Sequence, residues 1–288
     1  MFHVKRKCDS RIRAKMIKAV FFDIDGTLVS FNTHKVPGST REALVKLRQN
    51  GVKVIIATGR HISSINNLPE LVFDGFVLIN GTLVMTCPEV GATAQEMTNP
   101  ELEGRRVIYR NPIPKEDIFN WLEVLKRESH STVLVYEEDL KLNFLDKTMS
   151  EIMDLLNFTK PDTVDLQSLK DKPIYQIITS MTDEEETKLM KNLPHCKTTR
   201  WHPLFTDIIN REASKAQGIQ AMMDYFGWKR EEIIAFGDGG NDIEMLDLAG
   251  TAVVMGNASE EVKSHADFVA ESVDNDGVML ALKHYSLI

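Results

Sequence analysis

Short, largely apolar segments that end in polar turns constrain the fold of this chain more than any other feature. The first comprises residues 19–22 and ends at Asp23, and the second comprises residues 52–57 and ends at Thr58. Consecutive apolar residues are typical of strands covered on both faces, as in parallel sheets. Because a helical pattern over residues 39–50 separates the two segments, the order strand, helix, strand predicts a parallel α/β sheet.

The C-terminal third has the same organisation. A helix is predicted over residues 219–226, where apolar residues recur three and four positions apart and a glycine follows. Three further apolar segments, residues 233–236, 252–255 and 268–270, are predicted strands. The two ends of the chain are therefore expected to supply strands of one sheet.

The middle of the chain has a different pattern. Several predicted strands follow one another without an intervening helix, which favours antiparallel pairing. Residues 87–104 are polar, contain two prolines and lack periodicity, so we expect an exposed loop there. We predict an α+β unit, residues 84–206, inserted into a core formed by residues 17–83 and 207–288.

Composition limits the classes of function. The chain has 34 Lys and Arg against 42 Asp and Glu, and the formal charge of −8 argues against general nucleic-acid binding. It contains no stretch of about 18 apolar residues, so no membrane span is expected. The three cysteines are widely spaced, which fits a reducing cytoplasm. Residues 1–16 are basic, lack an apolar signal segment, and are predicted to be a flexible leader, with Met16 beginning the functional protein.

Four polar segments follow predicted core strands or begin a predicted helix. They are Asp23–Thr27, Thr58–Arg60, Lys215 and Gly237–Asp242. Because ligands of open parallel sheets bind beyond the carboxyl ends of the strands, these segments are expected to meet at that edge. Together they supply carboxylates, a lysine, a threonine hydroxyl and glycine-rich turns, which are the groups that metal-assisted phosphoryl transfer needs.

In this order, the four segments resemble the four motifs of the haloacid dehalogenase superfamily. The matching motifs are Asp23-x-Asp25-Gly-Thr-Leu, Thr58-Gly59-Arg60, Lys215 and Gly237-Asp238-Gly-x-Asn241-Asp242. The resemblance spans nearly all of the chain from Ile17 onward. It implies a Rossmann-like core, in agreement with the strand pattern.

The position of the inserted unit narrows the subgroup. The interval from Asp25 to Thr58 has room for one helix and one strand, whereas that from Thr58 to Lys215 can hold a domain. A cap between the second and third motifs resembles the type IIB, or Cof-like, group, whose α+β caps are called type C2. Asn80-Gly81 also resembles that group, and we interpret this pair as a tight turn. The resemblance implies a phosphatase acting on a small phosphorylated metabolite, in this group most often a sugar phosphate.

The resemblance also implies a mechanism. Asp23 would attack the phosphorus and form an aspartyl-phosphate. Asp25 would protonate the leaving oxygen and then activate the water that hydrolyses this intermediate. Mg²⁺ would be held by Asp23, by the Asp25 carbonyl and by Asp238, since oxygen ligands suit this ion.

The remaining motif residues would bind the phosphate. Thr58, Gly59, Lys215 and Asn241 are expected to contact phosphoryl oxygens, and Asp242 to orient Lys215 or a metal-bound water. Taken singly, these residues have simpler interpretations: Lys215 alone would be an exposed helical lysine, and Thr58 alone a helix cap. Only their occurrence in series predicts the site.

Two other functions fit the same motifs. A phosphotransferase or phosphomutase would use the same intermediate but transfer the phosphoryl group to a second hydroxyl. A non-catalytic sensor would bind a phosphorylated metabolite without turnover. Retention of the motif residues argues against it, namely of Asp23, Asp25, Thr58, Lys215, Asp238 and Asp242. Neither the substrate itself nor the oligomeric state is predicted.

Overall fold

Two β-sheets organise the chain. The computed structural model describes residues 17–288 except 69, 88, 156–159 and 170, and it describes only the backbone of residues 155, 169, 201 and 202. The predicted leader, residues 1–16, lies outside the described residues.

The described residues form fourteen strands. They are β1 (Ala19–Phe22), β2 (Lys53–Ala57), β3 (Gly75–Leu78), β4 (Leu83–Thr86), β5 (Arg106–Arg110), β6 (Thr132–Val135), β7 (Leu140–Leu142), β8 (Asp162–Thr163), β9 (Gln176–Thr179), β10 (Cys196–His202), β11 (Phe205–Asn210), β12 (Ile233–Gly237), β13 (Thr251–Val254) and β14 (Phe268–Val269).

The same residues form nine α-helices. They are α1 (Gly38–Gln49), α2 (Ala94–Met97), α3 (Lys115–Leu125), α4 (Lys147–Leu155), α5 (Asp183–Leu189), α6 (Lys215–Phe226), α7 (Ile243–Leu248), α8 (Glu260–Lys263) and α9 (Gly277–His284). Among the helices so described, none combines the length and the apolar composition that crossing a bilayer requires.

The first sheet is parallel over six of its eight strands. Its order is β14-β13-β12-β1-β2-β3-β4-β5, and only the pairs β3 with β4 and β4 with β5 are antiparallel. Strand β1 is central, with Phe22 paired to Phe236 of β12 and to Ile56 of β2. The strands predicted from apolar segments at both ends of the chain are therefore confirmed as members of one sheet.

Both faces of β1 are covered, as its sequence predicts. Val20 and Phe22 pack into one hydrophobic cluster, whereas Ala19 and Phe21 pack into another on the opposite face. The first cluster includes Leu44 of α1, and the second is formed in part by α6 and α7. This three-layer arrangement is the reason that β1 can be apolar at every position.

The second sheet is built by the middle of the chain. Its order is β10-β11-β9-β6-β7-β8, and all pairs are antiparallel except β7 with β8. Residues 84–110, which the sequence pattern assigns to the inserted unit, instead contribute β4 and β5 to the first sheet. Strand β11, which reaches Asn210, belongs to the second sheet. The pairing favours unit boundaries near residues 111 and 211, and the division into domains remains our proposal.

The helix starts differ in part from the sequence expectations. The capping box predicted at Thr182 is present, whereas helix α1 begins after Pro37 without a side-chain cap, so the box predicted at Ser39 is wrong. Residues 87–104 were expected to be an exposed loop, but Thr93 and Glu96 form a reciprocal capping box there and start α2. Helix α2 buries Ala94 and Met97 in the hydrophobic cluster that includes Val20 and Phe22 of β1.

A left-handed turn follows β3 and touches the start of α6. The φ angles of Ile79, Asn80 and Gly81 are 51°, 49° and 88°. A left-handed conformation costs about 1–3 kcal/mol at a non-glycine residue, most clearly at a β-branched one. At Gly81 the backbone also approaches α6 so closely that a Cβ would lie 1.9 Å from the Ser214 carbonyl oxygen.

This contact predicts that Gly81→Ala destabilises the protein by more than the cost of placing an alanine at a positive φ angle. Gly51 has a similar φ of 81°, but a Cβ there meets nothing within 4 Å. Gly51→Ala therefore isolates the conformational cost, about 1 kcal/mol. We expect Gly81→Ala to cost at least about 2 kcal/mol more, measured from urea unfolding at equilibrium. Equal losses in the two variants would contradict the close packing of the turn on α6.

Candidate active site

The centre of the site is a buried lysine between two carboxylates. Lys215 is the first residue of α6 and is fully buried, and its Nζ lies 2.5 Å from Asp23 Oδ1 and 2.6 Å from Asp242 Oδ1. Asp23 directly follows β1, and Asp242 lies in the loop after β12. Residues far apart in the sequence therefore meet at the carboxyl edge of the first sheet, as the parallel topology predicts.

Burial and charge together set the ionisation of this group. Burial alone would lower the pKa of the Lys215 ammonium, but the carboxylates of Asp23 and Asp242 outweigh it and raise the pKa above its ordinary value. Burial raises the pKa of Asp23 well above its ordinary value, with Lys215 opposing and Asp242 adding to the shift. The lysine thus stays charged, while the carboxylates around it exceed the positive charge available.

Asp242 is held within the loop that carries it. Its Oδ1 accepts from Lys215, and its Oδ2 accepts from the backbone N–H groups of Asp238 and Gly239 at 2.9 and 2.8 Å. Both carboxylate oxygens are therefore engaged by the protein. This geometry is compatible with the predicted role of Asp242 in orienting Lys215.

Asp238 is contacted by the loop that follows β1. Thr27 Oγ1 donates to Asp238 Oδ1 at 2.7 Å, and Asn257 Nδ2 donates to Asp238 Oδ2 at 3.1 Å. Gly26, whose φ is 82°, approaches so closely that a Cβ would lie 2.0 Å from Asp238 Oδ2. The sequence analysis missed Asn257, which also donates to the Gly26 carbonyl at 2.9 Å.

Asp25 lies outside this buried group and pairs with an arginine. Its two carboxylate oxygens accept from Arg60 Nη2 at 2.7 Å and from Arg60 Nε at 2.9 Å, and its side chain is 39% exposed. Arg60 also donates to the Ser64 carbonyl at 3.1 Å. The two aspartates of the first motif therefore occupy different environments, one buried beside a lysine and one open to solvent beside an arginine.

Three of the predicted phosphate-binding residues meet around the left-handed turn. Thr58 Oγ1 accepts from the backbone N–H of Arg60 at 3.1 Å, and the Thr58 carbonyl accepts from the backbone N–H of Asn80 at 3.0 Å. A Cβ on Gly59 would lie 3.2 Å from both Asn80 amide atoms, and Asn241 Nδ2 donates to Asn80 Oδ1 at 3.1 Å. Asn80 therefore joins residues that follow β2 to a residue that follows β12.

The donor set suits a hard divalent cation. Carboxylate oxygens of Asp23, Asp238 and Asp242 lie within 4.8 Å of one another. Burial and the neighbouring Asp242 raise the pKa of Asp238 to about 7, while Thr27 opposes the shift. Several buried carboxylates beside a single ammonium form a site whose excess negative charge a bound cation would neutralise.

The hairpin between β6 and β7 reaches the first sheet near Arg60. Burial lowers the pKa of the neighbouring His61 imidazole, so the ring is neutral, and it contacts the Glu137 carbonyl through Nε2 at 3.2 Å. The Glu137 carboxylate also accepts from Arg110 Nε at 2.6 Å and from Arg110 Nη2 at 2.8 Å. The second unit thereby lies against the edge that carries the candidate site.

Comparisons with known proteins agree with this fold. A family-level sequence model described as haloacid dehalogenase-like hydrolase matches residues 20–282. The YkrA protein of Bacillus subtilis (strain 168), which has the provisional name of a phosphatase, is 34% identical over 273 residues, covering 94% of this chain and 98% of its own.

Two solved structures are similar over almost their full length. The phosphatase BT1666 from Bacteroides thetaiotaomicron, of the haloalkanoate (HAD) enzyme superfamily, is 38% identical with a TM-score of 0.80, covering 95% of this chain and 96% of its own. The HAD subclass IIB sugar phosphatase BT4131 is 36% identical with a TM-score of 0.79, covering 94% and 100%.

The chain belongs to the haloacid dehalogenase-like hydrolases. Within that family it is a type IIB, Cof-like member, so the family prediction is confirmed, as is the prediction of a Rossmann-like α/β core with a cap.

The raised pKa of Asp238 predicts how the stability of the metal-free protein depends on pH. Since the ordinary value is 3.8 and the folded value is about 7, folding takes up a proton between these limits. The stabilisation from this group is full below about pH 4 and is lost as pH rises through about 7. Asp238→Asn should therefore stabilise the metal-free protein by about 1–3 kcal/mol at pH 8 and by much less at pH 5.

Equilibrium urea unfolding in chelator, at both pH values, measures this difference. Asp224→Asn is a matched control, because it removes the same charge far from the site, from an exposed carboxylate that accepts a hydrogen bond from Gln220 of the same helix. Adding Mg²⁺ at pH 8 should stabilise the wild type and have a smaller effect on Asp238→Asn. A metal-free Asp238→Asn protein no more stable than wild type at pH 8 would contradict the charge argument.

Proposed function

We propose that this protein is a magnesium-dependent phosphatase that hydrolyses a small phosphorylated metabolite, with a sugar phosphate as the expected class, through an aspartyl-phosphate on Asp23. The observation that carries the proposal is the position of Asp23 at the end of a central strand, buried and hydrogen-bonded to Lys215. A carboxylate held in one orientation beside a positive charge is suited to attack an anionic phosphoryl group, because that charge offsets repulsion between the two.

The proposed role of Lys215 follows from its contacts. Its ammonium holds Asp23 Oδ1, which leaves Oδ2 as the attacking oxygen. Asp242 fixes the same ammonium from the other side, so Lys215 cannot rotate away as the substrate enters. The attack forms a bond between this oxygen and phosphorus and breaks the bond between phosphorus and the leaving oxygen.

The proposed magnesium site consists of Asp23, the Asp25 carbonyl and Asp238. When bound, the ion would neutralise the phosphoryl oxygens and the surplus carboxylate charge described above. Thr27 and Asn257 hold the two oxygens of Asp238 in place by hydrogen bonds, and Gly26 allows the loop to approach it. These contacts orient the carboxylate of Asp238, one of the three proposed ligands.

Asp25 is the proposed acid and base. It is the more exposed aspartate of the motif, and its bidentate pair with Arg60 holds it at the open side of the site. To give a proton to the leaving oxygen, the Asp25 carboxyl must exchange Arg60 for the substrate. The same group, now ionised, would take a proton from the water that attacks the aspartyl-phosphate.

A polar cleft lies between the two units, and its size agrees with the expected small substrate. The cleft has a volume of about 330 Å³ and is lined by Ser63 and Ser64 on one side and by Glu138, Lys141 and Lys160 on the other. The Ser64 carbonyl accepts from Arg60, the partner of Asp25, so one wall of the cleft is linked to the proposed acid and base through two hydrogen-bonded contacts. Hydroxyls and charges of both signs suit a polyhydroxylated leaving group, and the sugar phosphatase activity named for BT4131 is in keeping with that class.

A phosphotransferase that passes the phosphoryl group to a second hydroxyl is the alternative that shares this intermediate. A sensor without turnover is the alternative from another class, and the intact pair of Asp23 and Lys215 argues against it.

The proposed location is the cytoplasm, in keeping with the free, buried thiols of Cys87 and Cys196.

Asp23→Asn should abolish phosphate release, because an amide is not a nucleophile at phosphorus. The measurement is release of inorganic phosphate with Mg²⁺ from sugar phosphates, nucleotides, cofactor phosphates and an aryl phosphate. Asp224→Asn, with the same change of charge on the surface, should keep wild-type rates. Substantial turnover by Asp23→Asn would remove Asp23 from the nucleophilic role, and full activity in chelator would contradict the proposed magnesium requirement.

Asp25→Asn should distinguish substrates by their leaving groups. An alkyl leaving oxygen needs a proton, so turnover of a sugar phosphate should fall by about 10²–10⁴-fold. An activated aryl leaving group needs none, so one equivalent of the aryl alcohol should still be released rapidly before slow turnover. A pre-steady-state burst experiment measures both steps, and equal losses of the first step for both substrates would exclude the proposed acid role.

A further inference from the structure

The left-handed turn at residues 79–81 places the side chain of Asn80 in the site, although the four motifs do not include this residue. Asn80 is 8% exposed, and its amide lies against Gly59 on one side and Asn241 on the other. Both of these neighbours are proposed to contact phosphate. Among the described residues, Asn80 Nδ2 has no hydrogen-bond partner, whereas Asn80 Oδ1 accepts from Asn241 at 3.1 Å.

The backbone of this turn is fixed by three separate contacts. The N–H of Ile79 donates to the Arg60 carbonyl at 3.2 Å, and the N–H of Asn80 donates to the Thr58 carbonyl at 3.0 Å. Gly81 packs directly on the Ser214 carbonyl at the start of α6. The turn is thus tied both to the segment after β2 and to the helix that carries Lys215.

The strained backbone of this turn is held by contacts with segments that are distant in the sequence. Ile79 is β-branched and has a φ of 51°, a conformation that such residues rarely adopt unless the surroundings impose it. Strained backbone of this kind concentrates at sites that bind ligands. Here its consequence is that the Asn80 amide faces the space between Gly59 and Asn241 and does not point away from the sheet edge.

We propose that Asn80 is a phosphate-binding residue, whose Nδ2 donates a hydrogen bond to a phosphoryl oxygen of the substrate. This inference rests on the proposed function and adds a residue to its phosphate site. Asn80 Nδ2 has no protein partner among the described residues and can therefore donate to a ligand, and a phosphate oxygen is a strong acceptor. The hydrogen bond from Asn241 fixes the Asn80 amide so that its nitrogen, and not its oxygen, faces the phosphate.

Two substitutions at this position separate binding from structure. Asn80→Gly keeps the left-handed backbone and removes the amide. Asn80→Asp also tolerates this backbone and keeps an oxygen that can accept from Asn241, but it replaces the donor with a negative charge. A purely structural role predicts wild-type phosphate affinity in a folded Asn80→Gly protein, whereas a phosphate-binding role predicts a loss in both variants, which the added charge makes larger in Asn80→Asp.

The test measures the affinity for inorganic phosphate by calorimetry in the presence of Mg²⁺, together with kcat and KM for an aryl phosphate. We expect the affinity of Asn80→Gly for phosphate to fall about tenfold or more, and that of Asn80→Asp to fall further. The values of kcat/KM should fall in the same order. Ser286→Gly is the control, since it makes a similar change at another left-handed residue, with φ 57°, outside the site.

Thermal unfolding of each variant shows whether the fold is kept. Wild-type phosphate affinity in a folded Asn80→Asp protein would overturn the proposal, as would unchanged affinity in Asn80→Gly. Failure of the proposed function gives a different result, namely a wild type that releases no phosphate from any substrate. In that case phosphate binding by wild type and the two variants still decides the role of Asn80.

Discussion

The ion pairs between buried Lys215 and two aspartates are the interaction on which the site depends. A fully buried ammonium is costly unless it is paired, and Asp23 and Asp242 supply both partners within 2.6 Å. Each aspartate follows a different strand of the first sheet, and the lysine begins the helix that crosses one face of it. Loss of Lys215 would leave two buried carboxylates without a counter-charge, so this lysine holds the carboxyl edge of the sheet together as well as forming the site.

The sequence was sufficient to predict those features that follow from a local pattern or from the parallel topology. Strand β1 could be predicted because both faces of a central parallel strand are buried, which leaves an apolar residue at every position. The convergence of Asp23, Lys215 and Asp238 could be predicted because parallel strands bring their carboxyl ends to one edge. The prediction of a type IIB family member followed from the order and spacing of the motifs, and it is confirmed.

The remaining features depend on contacts between distant segments. Asn257 is separated by 231 positions from Gly26, to which it donates, and its own neighbours have no pattern that distinguishes it from a surface asparagine. Asn80 appeared to belong to an ordinary tight turn, because its strain is visible only in the backbone angles. In contrast, the short helix α2 had a local signal in Thr93 and Glu96, a capping pair that the overall polarity of the segment concealed.

The long separation between the members of the site has a consequence for how the protein is made. Asp23 and Lys215 are 192 positions apart. A ribosome working at about 5–20 residues per second therefore adds Lys215 roughly 10–40 s after Asp23. During that time β1 can pair with β2 but not with β12, so the backbone N–H and C=O groups along its other edge are unpaired. The six-stranded sheet of the second unit, whose strands all lie between residues 132 and 210, can form before the first sheet is complete. Such a nascent chain has a folded second unit and an incomplete first sheet. Association with another chain would begin at the exposed edge of β1.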